Sequence, residues 1–100
     1  MIIILVEVGV KDGGSTQVRD AVARMETATR KEPGCVTYAF STDVSNPNVI
    51  RVTERWKSLD DIKAHMASPH MAQFQKDVMS LQPTSLTVKA YEATEIEMPR

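Results

Sequence analysis

Near its start the chain runs Ile2-Ile3-Ile4-Leu5-Val6-Glu7-Val8-Gly9, with large apolar side chains at consecutive positions. A strand with one face in water alternates apolar and polar residues, and this one does not. It reads as a strand covered on both sides, so the rest of the chain, or a second copy of it, must supply two layers. The chain has 100 residues, 42% of them hydrophobic, which suffices for one core and no second one. A domain this small buries only about two thirds of the surface its unfolded chain exposes, so a homodimer is the expected way to cover what remains.

The same segment does not read as an export signal. No basic flank precedes it, no small-residue cleavage site follows it, and Glu7 ends it far short of a bilayer span. Cys35 is the only cysteine, so it has no partner for an internal disulfide, and a reducing cytoplasm is the expected setting. We read it as a small half-buried strand residue and not as a reactive thiol. The formal net charge is -1 and no run of Lys or Arg stands out, so the basic footprint needed for nucleic acid is missing. Neither nucleic acid nor a membrane is an expected partner.

Lys11-Asp12-Gly13-Gly14 reads as a loop, after which Ser15 or Thr16 is placed to cap a helix carrying Val18, Val22, Met25 and Thr29 until Pro33-Gly34 stops it. Residues 35–42 alternate, with Val36, Tyr38 and Phe40 on one face and Cys35, Thr37, Ala39 and Ser41 on the other. Turn formers from Asp43 to Asn48 lead to a second alternating strand at 49–56. Ser58-Leu59-Asp60-Asp61 has the form of a capping box and opens a short helix with Ile62, His65 and Met66 on one face. Ser68-Pro69 starts another, striped by Met71, Phe74, Val78 and Leu81 and ended by Gln82-Pro83. A last strand at 85–93 carries Leu86, Val88 and Ala90, which makes residues 1–93 the domain and 94–100 a polar tail. The order β-α-β-β-α-β is that of an α+β, ferredoxin-like fold with one antiparallel sheet and both helical layers on a single face. The bare sheet face is then expected to stack on the same face of a second copy.

Glu32-Pro33-Gly34-Cys35, Tyr38, Asp43, Glu54-x-Trp56, His65, Ser68-Pro69-His70 and Phe74 occur in that order on those elements. In this series the chain resembles the antibiotic biosynthesis monooxygenase (ABM) domain, in particular its small quinol-monooxygenase-like members, over residues 1–93. The resemblance implies a dimeric α+β barrel with a pocket between sheet and helices in each subunit. It also implies oxidation of quinols or related polycyclic phenols by O₂ without flavin, haem or metal. Some relatives degrade haem with an asparagine on the first strand and a tryptophan and a histidine further on. The corresponding positions here hold no asparagine, His65 and Gln75, so that scheme is not carried over. Because one fold hosts several chemistries, two alternatives stay open: a cofactor-free isomerase of a small carbonyl metabolite, and a non-catalytic dimeric small-molecule-binding protein.

An electron-rich phenolate activates O₂ by itself, so the protein need supply only a base, an oriented anion and a dry cavity. His65, beside Ile62 and Met66, is the expected base, with a core or interface histidine as its structural alternative. Glu54 shares a strand face with Trp56 and is expected to orient His65, or else to pair with Arg51 or Arg55. Tyr38 is expected to hydrogen-bond a substrate oxygen. Trp56, Phe74, His70 and Met66 are expected to line the pocket of a small aromatic substrate, although a core role for each is the plainer alternative. Pro69 interrupts the spacing of His65 and His70 and no cysteine lies nearby, so no metal site is expected. Gly13-Gly14 is too short for a phosphate loop, and no serine sits in a nucleophile elbow.

Overall fold

The computed structural model describes residues 1–100. Strand β1 (Ile2–Gly9) lies between β3 (Asn46–Trp56) and β4 (Ser85–Glu92), and β2 (Cys35–Asp43) borders β3. The sheet order is β2-β3-β1-β4, with every neighbouring pair antiparallel. Between the strands run α1 (Gly14–Gln17), α2 (Arg19–Arg30), α3 (Leu59–Met66) and α4 (Pro69–Ser80). This is the ferredoxin-like arrangement read from the sequence. No helix is long and apolar enough to cross a membrane.

Register places Tyr38, Glu54 and Ile4 in one row across β2, β3 and β1, and Cys35, Trp56 and Ile2 in the next. These rows, with Val8, Ile50 and Val52, lie on the buried face of the sheet and meet Ala21, Met25 and Thr29 of α2 and Val18 just before it. The opposite face carries Leu5, Glu7, Arg51, Thr53 and Lys89 around a shallow hollow of about 270 Å³. Arg51 there reaches Asp43 at 2.6 Å and Glu7 at 3.5 Å. Hydrogen bonds from Ser45 and from Arg51 hold the Asp43 carboxyl below its ordinary range. Thus β1 has one of its two faces covered by its own chain, and Leu5 stays 46% exposed.

Four local expectations give way to tertiary geometry. Ser15 and Thr16 cap nothing: Gly13, at φ 81°, turns the chain into α1, and the helix breaks at Val18 before α2 begins. Only glycine adopts that left-handed conformation freely. The hairpin turn is tighter than the run of turn formers suggested, because Asp43 pairs with Asn46 and its carboxylate accepts from Ser45 N and Oγ. A bulge between Cys35 and Thr37 sets Cys35 opposite Trp56 and leaves Val36 exposed, which reverses the faces assigned to those two residues. Finally, Leu86 and Val88 of β4 align with Val8 and Val6, yet both are exposed, since no helix extends over this edge strand.

The caps of the second helical layer are as expected. Ser58 Oγ accepts from Asp61 N at 3.2 Å, and Ser68 Oγ accepts from Met71 N at 3.2 Å with Pro69 in the first turn of α4. Gly34 lies so close to Asp61 that an added Cβ would collide with its side chain. The start of α3 therefore closes directly on the loop that precedes β2, and this approach brings Glu32 to His65.

Candidate active site

Glu32 occupies a locked turn. Its N–H donates to Thr29 O at 3.0 Å and its carbonyl accepts from Cys35 N at 3.1 Å. His65 sits near the end of α3, and Ser68 ties that end down by donating its N–H and its hydroxyl to His65 O. His70 lies in the first turn of α4. One oxygen of the Glu32 carboxylate, Oε2, meets His65 Nδ1 at 2.7 Å and His70 Nε2 at 2.8 Å. A carboxylate only accepts, so both ring nitrogens donate, and a neutral His65 carries its lone pair on Nε2. That Nε2 is buried with no hydrogen-bond partner. The residue as a whole is 1% exposed.

The ring centroid of Trp56 lies 4.7 Å and that of Tyr38 5.5 Å from the His65 ring, so aromatic groups enclose it on two sides. The indole N–H of Trp56 donates to Glu54 Oε1 at 2.9 Å. Burial pushes the Glu54 carboxyl above its ordinary range and Glu32 adds to this, while the Trp56 hydrogen bond and His65 pull it back. Burial, and then the charge of Glu54, also raises the Tyr38 phenol, whose hydroxyl bonds to no protein group. Desolvation, Glu32 and Glu54 raise the Cys35 thiol, which keeps it protonated at neutral pH.

Sequence reasoning had picked out His65, Tyr38, Glu54 and Trp56, and the fold brings all four together. It had missed Glu32 as a functional group, and with it the role of orienting carboxylate, which Glu54 does not hold. Glu54 bonds to Trp56 instead, while Arg51 and Arg55 lie on the other sheet face and bond to Asp43 and Thr37. The available signal was the placement of Glu32 beside Pro33-Gly34, in a turn that must end close to a neighbouring element. Pro69 does not separate the two histidines, which meet from different helices on one carboxylate. Met66 is 53% exposed and lies off the site, because the step of one residue from His65, about 100° around the helix, turns it away from the inner face. Phe74 packs on Phe40 with centroids 5.3 Å apart, within the core and not against the His65 ring. Trp56 is wholly buried, so it is a core residue that backs the imidazole and not an open pocket wall.

The raised Glu54 pKa carries a stability consequence with a definite sign. The folded state holds this proton more tightly than the unfolded chain does, so the associated stability is present below the ordinary glutamate range. It is lost as pH rises through that range to the raised folded value. Glu54→Gln, which keeps an acceptor for Trp56, is therefore expected to match the wild type in urea unfolding near about pH 4 and to exceed it near about pH 7. Equal midpoints at both pH values would show that Glu54 bears no ionisation cost.

The fold and these side chains define a ferredoxin-like domain in which one half-buried carboxylate joins a buried imidazole and a part-exposed one. Residues 1–77 match the family model of the antibiotic biosynthesis monooxygenases, and the chain belongs to that family. A probable quinol monooxygenase of Escherichia coli (strain K12), YgiN, is 27% identical over 88 aligned positions, which take in 78% of this chain and 85% of that protein. The protein sll1783 of Synechocystis is 26% identical over 69 residues, and the match takes in 69% of this chain and 47% of that longer protein. A solved structure from Deinococcus radiodurans, of a candidate antibiotic biosynthesis monooxygenase, superimposes with a TM-score of 0.90 at 30% identity over 100% of this chain and 99% of that one. Membership and the likeness to YgiN support a general monooxygenase type of function.

Proposed function

We propose that this chain oxidises a quinol or related polycyclic phenol with O₂ and no cofactor, and that His65 Nε2 takes the proton from a substrate hydroxyl. The observation that carries the reading is a buried imidazole whose Nδ1–H is held by Glu32 and whose Nε2 has nothing to bond. A buried polar atom without a partner is costly, so a substrate O–H entering here finds an acceptor that no protein group competes for. When the proton moves, Glu32 stabilises the resulting imidazolium, as an orienting carboxylate does in other acid–base pairs. The unoccupied Tyr38 hydroxyl then donates to the phenolate oxygen. The phenolate passes an electron to O₂, the radicals combine at carbon, and loss of water leaves one oxygen atom in the product, with all four electrons drawn from the substrate. The rings of Trp56 and Tyr38 lie 4.7 Å and 5.5 Å from a His65 ring that is itself buried, so substrate entry requires a wall to yield. Helix α4, in which no residue is fully buried, is the wall with least packing to lose.

Metal-stripped protein is the material for the test, with a panel of quinols and labelled O₂. Incorporation of label into product in air, and no turnover without O₂, is the expected result. Turnover under anaerobic conditions would identify an isomerase, and tight ligand binding without conversion a binding protein; either result would end the oxygenase reading.

The same reading includes a homodimer, formed where Leu5, Tyr91 and the Glu7–Arg51 pair lie open on the uncovered sheet face. Leu5→Arg places a cation opposite Lys89 at this surface and leaves the covered core untouched. We expect the wild type to sediment as a dimer and Leu5→Arg as a folded monomer. A wild type that is monomeric at all concentrations would remove the dimer.

A further inference from the structure

We propose that Glu32, His65 and His70 form a binding site for a divalent first-row transition-metal ion of octahedral preference, such as Co²⁺ or Ni²⁺. The three side chains each offer one donor atom, and these atoms all lie within 4.8 Å of one another. Two spacings are set by the shared carboxylate oxygen, 2.7 Å to His65 Nδ1 and 2.8 Å to His70 Nε2. At metal–ligand lengths of about 2.0–2.2 Å, these two spacings subtend roughly 80–90° at a central ion, close to neighbouring positions of an octahedron and narrower than a tetrahedral angle. Two imidazoles and one carboxylate leave other coordination positions open, and the two ring nitrogens, within 4.8 Å of each other, must draw in towards neighbouring positions as the ion enters.

The surroundings favour a cation that prefers nitrogen. The ligands arrive from three separate elements: the turn after α2, the end of α3 and the start of α4. Each is independently fixed, by the Glu32 turn and by the Ser68 cap that follows α3 and opens α4. His65 is sealed on one side, whereas the side chains of Glu32 and His70 are 16% and 25% exposed, which leaves an entrance from their side. Glu32 brings a single negative charge and two imidazoles complete the set, a combination that suits Co²⁺, Ni²⁺, Fe²⁺ or Zn²⁺ and not Mg²⁺ or Ca²⁺. The ion and the ring protons compete for the same lone pairs. Occupation therefore replaces the hydrogen-bonded arrangement used in the proposed reaction, and the bound state is separate from the catalytic one.

The test is titration of tag-free, metal-stripped protein with Co²⁺ alone, followed by its visible d–d absorption and by calorimetry. The expected result is one Co²⁺ per chain, unaffected by excess Mg²⁺, with affinity reduced roughly tenfold or more in both His70→Ala and Glu32→Gln. His70 is part-exposed, so His70→Ala keeps the fold, and an unchanged far-ultraviolet circular dichroism spectrum checks this. Binding that is equal in wild type and His70→Ala, displaced by Mg²⁺, or absent at millimolar Co²⁺ would overturn the site. The absorption signal needs neither substrate nor O₂, so its failure is distinguishable from failure of the oxygenase reading.

Discussion

His65→Ala is expected to lower quinol-dependent O₂ uptake by about 10²- to 10⁴-fold, the usual contribution of a positioned general base. The substitution removes the only buried nitrogen at the site that has a free lone pair, and no neighbour can replace it. Tyr38 is a phenol that burial holds in its neutral form. Glu54 is committed to the Trp56 indole. His70 points its Nε2 at Glu32 from the more exposed side. Glu32→Gln separates two roles: an amide oxygen still accepts from Nδ1, but it no longer balances an imidazolium. A smaller loss than in His65→Ala is therefore expected. Oxygen-uptake rates, measured on variants whose circular dichroism matches the wild type, decide the matter. A His65→Ala rate within about twofold of wild type would remove the base from the mechanism, since even a weak general base contributes more than that.

Trp56→Ala is expected to cost about 3–5 kcal/mol of stability, the range for deleting a large buried aromatic side chain. Trp56 is 0% exposed and belongs to the core cluster of Ile2, Ile4, Met25, Tyr38 and Val52. Its loss opens a cavity beside the His65 ring and also leaves the buried Glu54 carboxyl without its donor. At about 4–8 °C per kcal/mol for a domain of this size, the melting temperature is expected to fall by roughly 12 °C or more. Trp56→Phe keeps most of the volume and loses the indole N–H, so it isolates the hydrogen-bond contribution and should cost less. Thermal and urea unfolding of the two variants measure both quantities. A Trp56→Ala loss below about 1 kcal/mol would mean that this part of the core is not packed as described.

The fold was largely legible because it rests on short-range patterns. The β-branched run of β1, the alternation in β2 and β3, and the Ser58 and Ser68 caps are each written in a few consecutive residues. Misreadings fell where a distant partner overrode the local pattern. Val36 left the core face because a bulge lets β2 follow β3. Ser15 and Thr16 lost their capping role to a glycine that turns the chain sooner. The site was legible as residue types but not as partnerships. An imidazole, an indole and a carboxylate near one another in sequence do come together, but the carboxylate that bonds the imidazole is Glu32 and not Glu54.

From the sequence alone came the β-α-β-β-α-β order and His65 as the candidate for moving a proton, since the first depends on periodicity and the second on intrinsic chemistry; the place of β1 between β3 and β4 came from the sheet itself. The tertiary structure alone decided which carboxylate holds that histidine. Glu32 and His65 are 33 positions apart, and the contact exists only because α3 closes on a glycine with no side chain in the way. Hydrogen bonds between remote residues depend on the mutual placement of whole elements, and no local spacing encodes that.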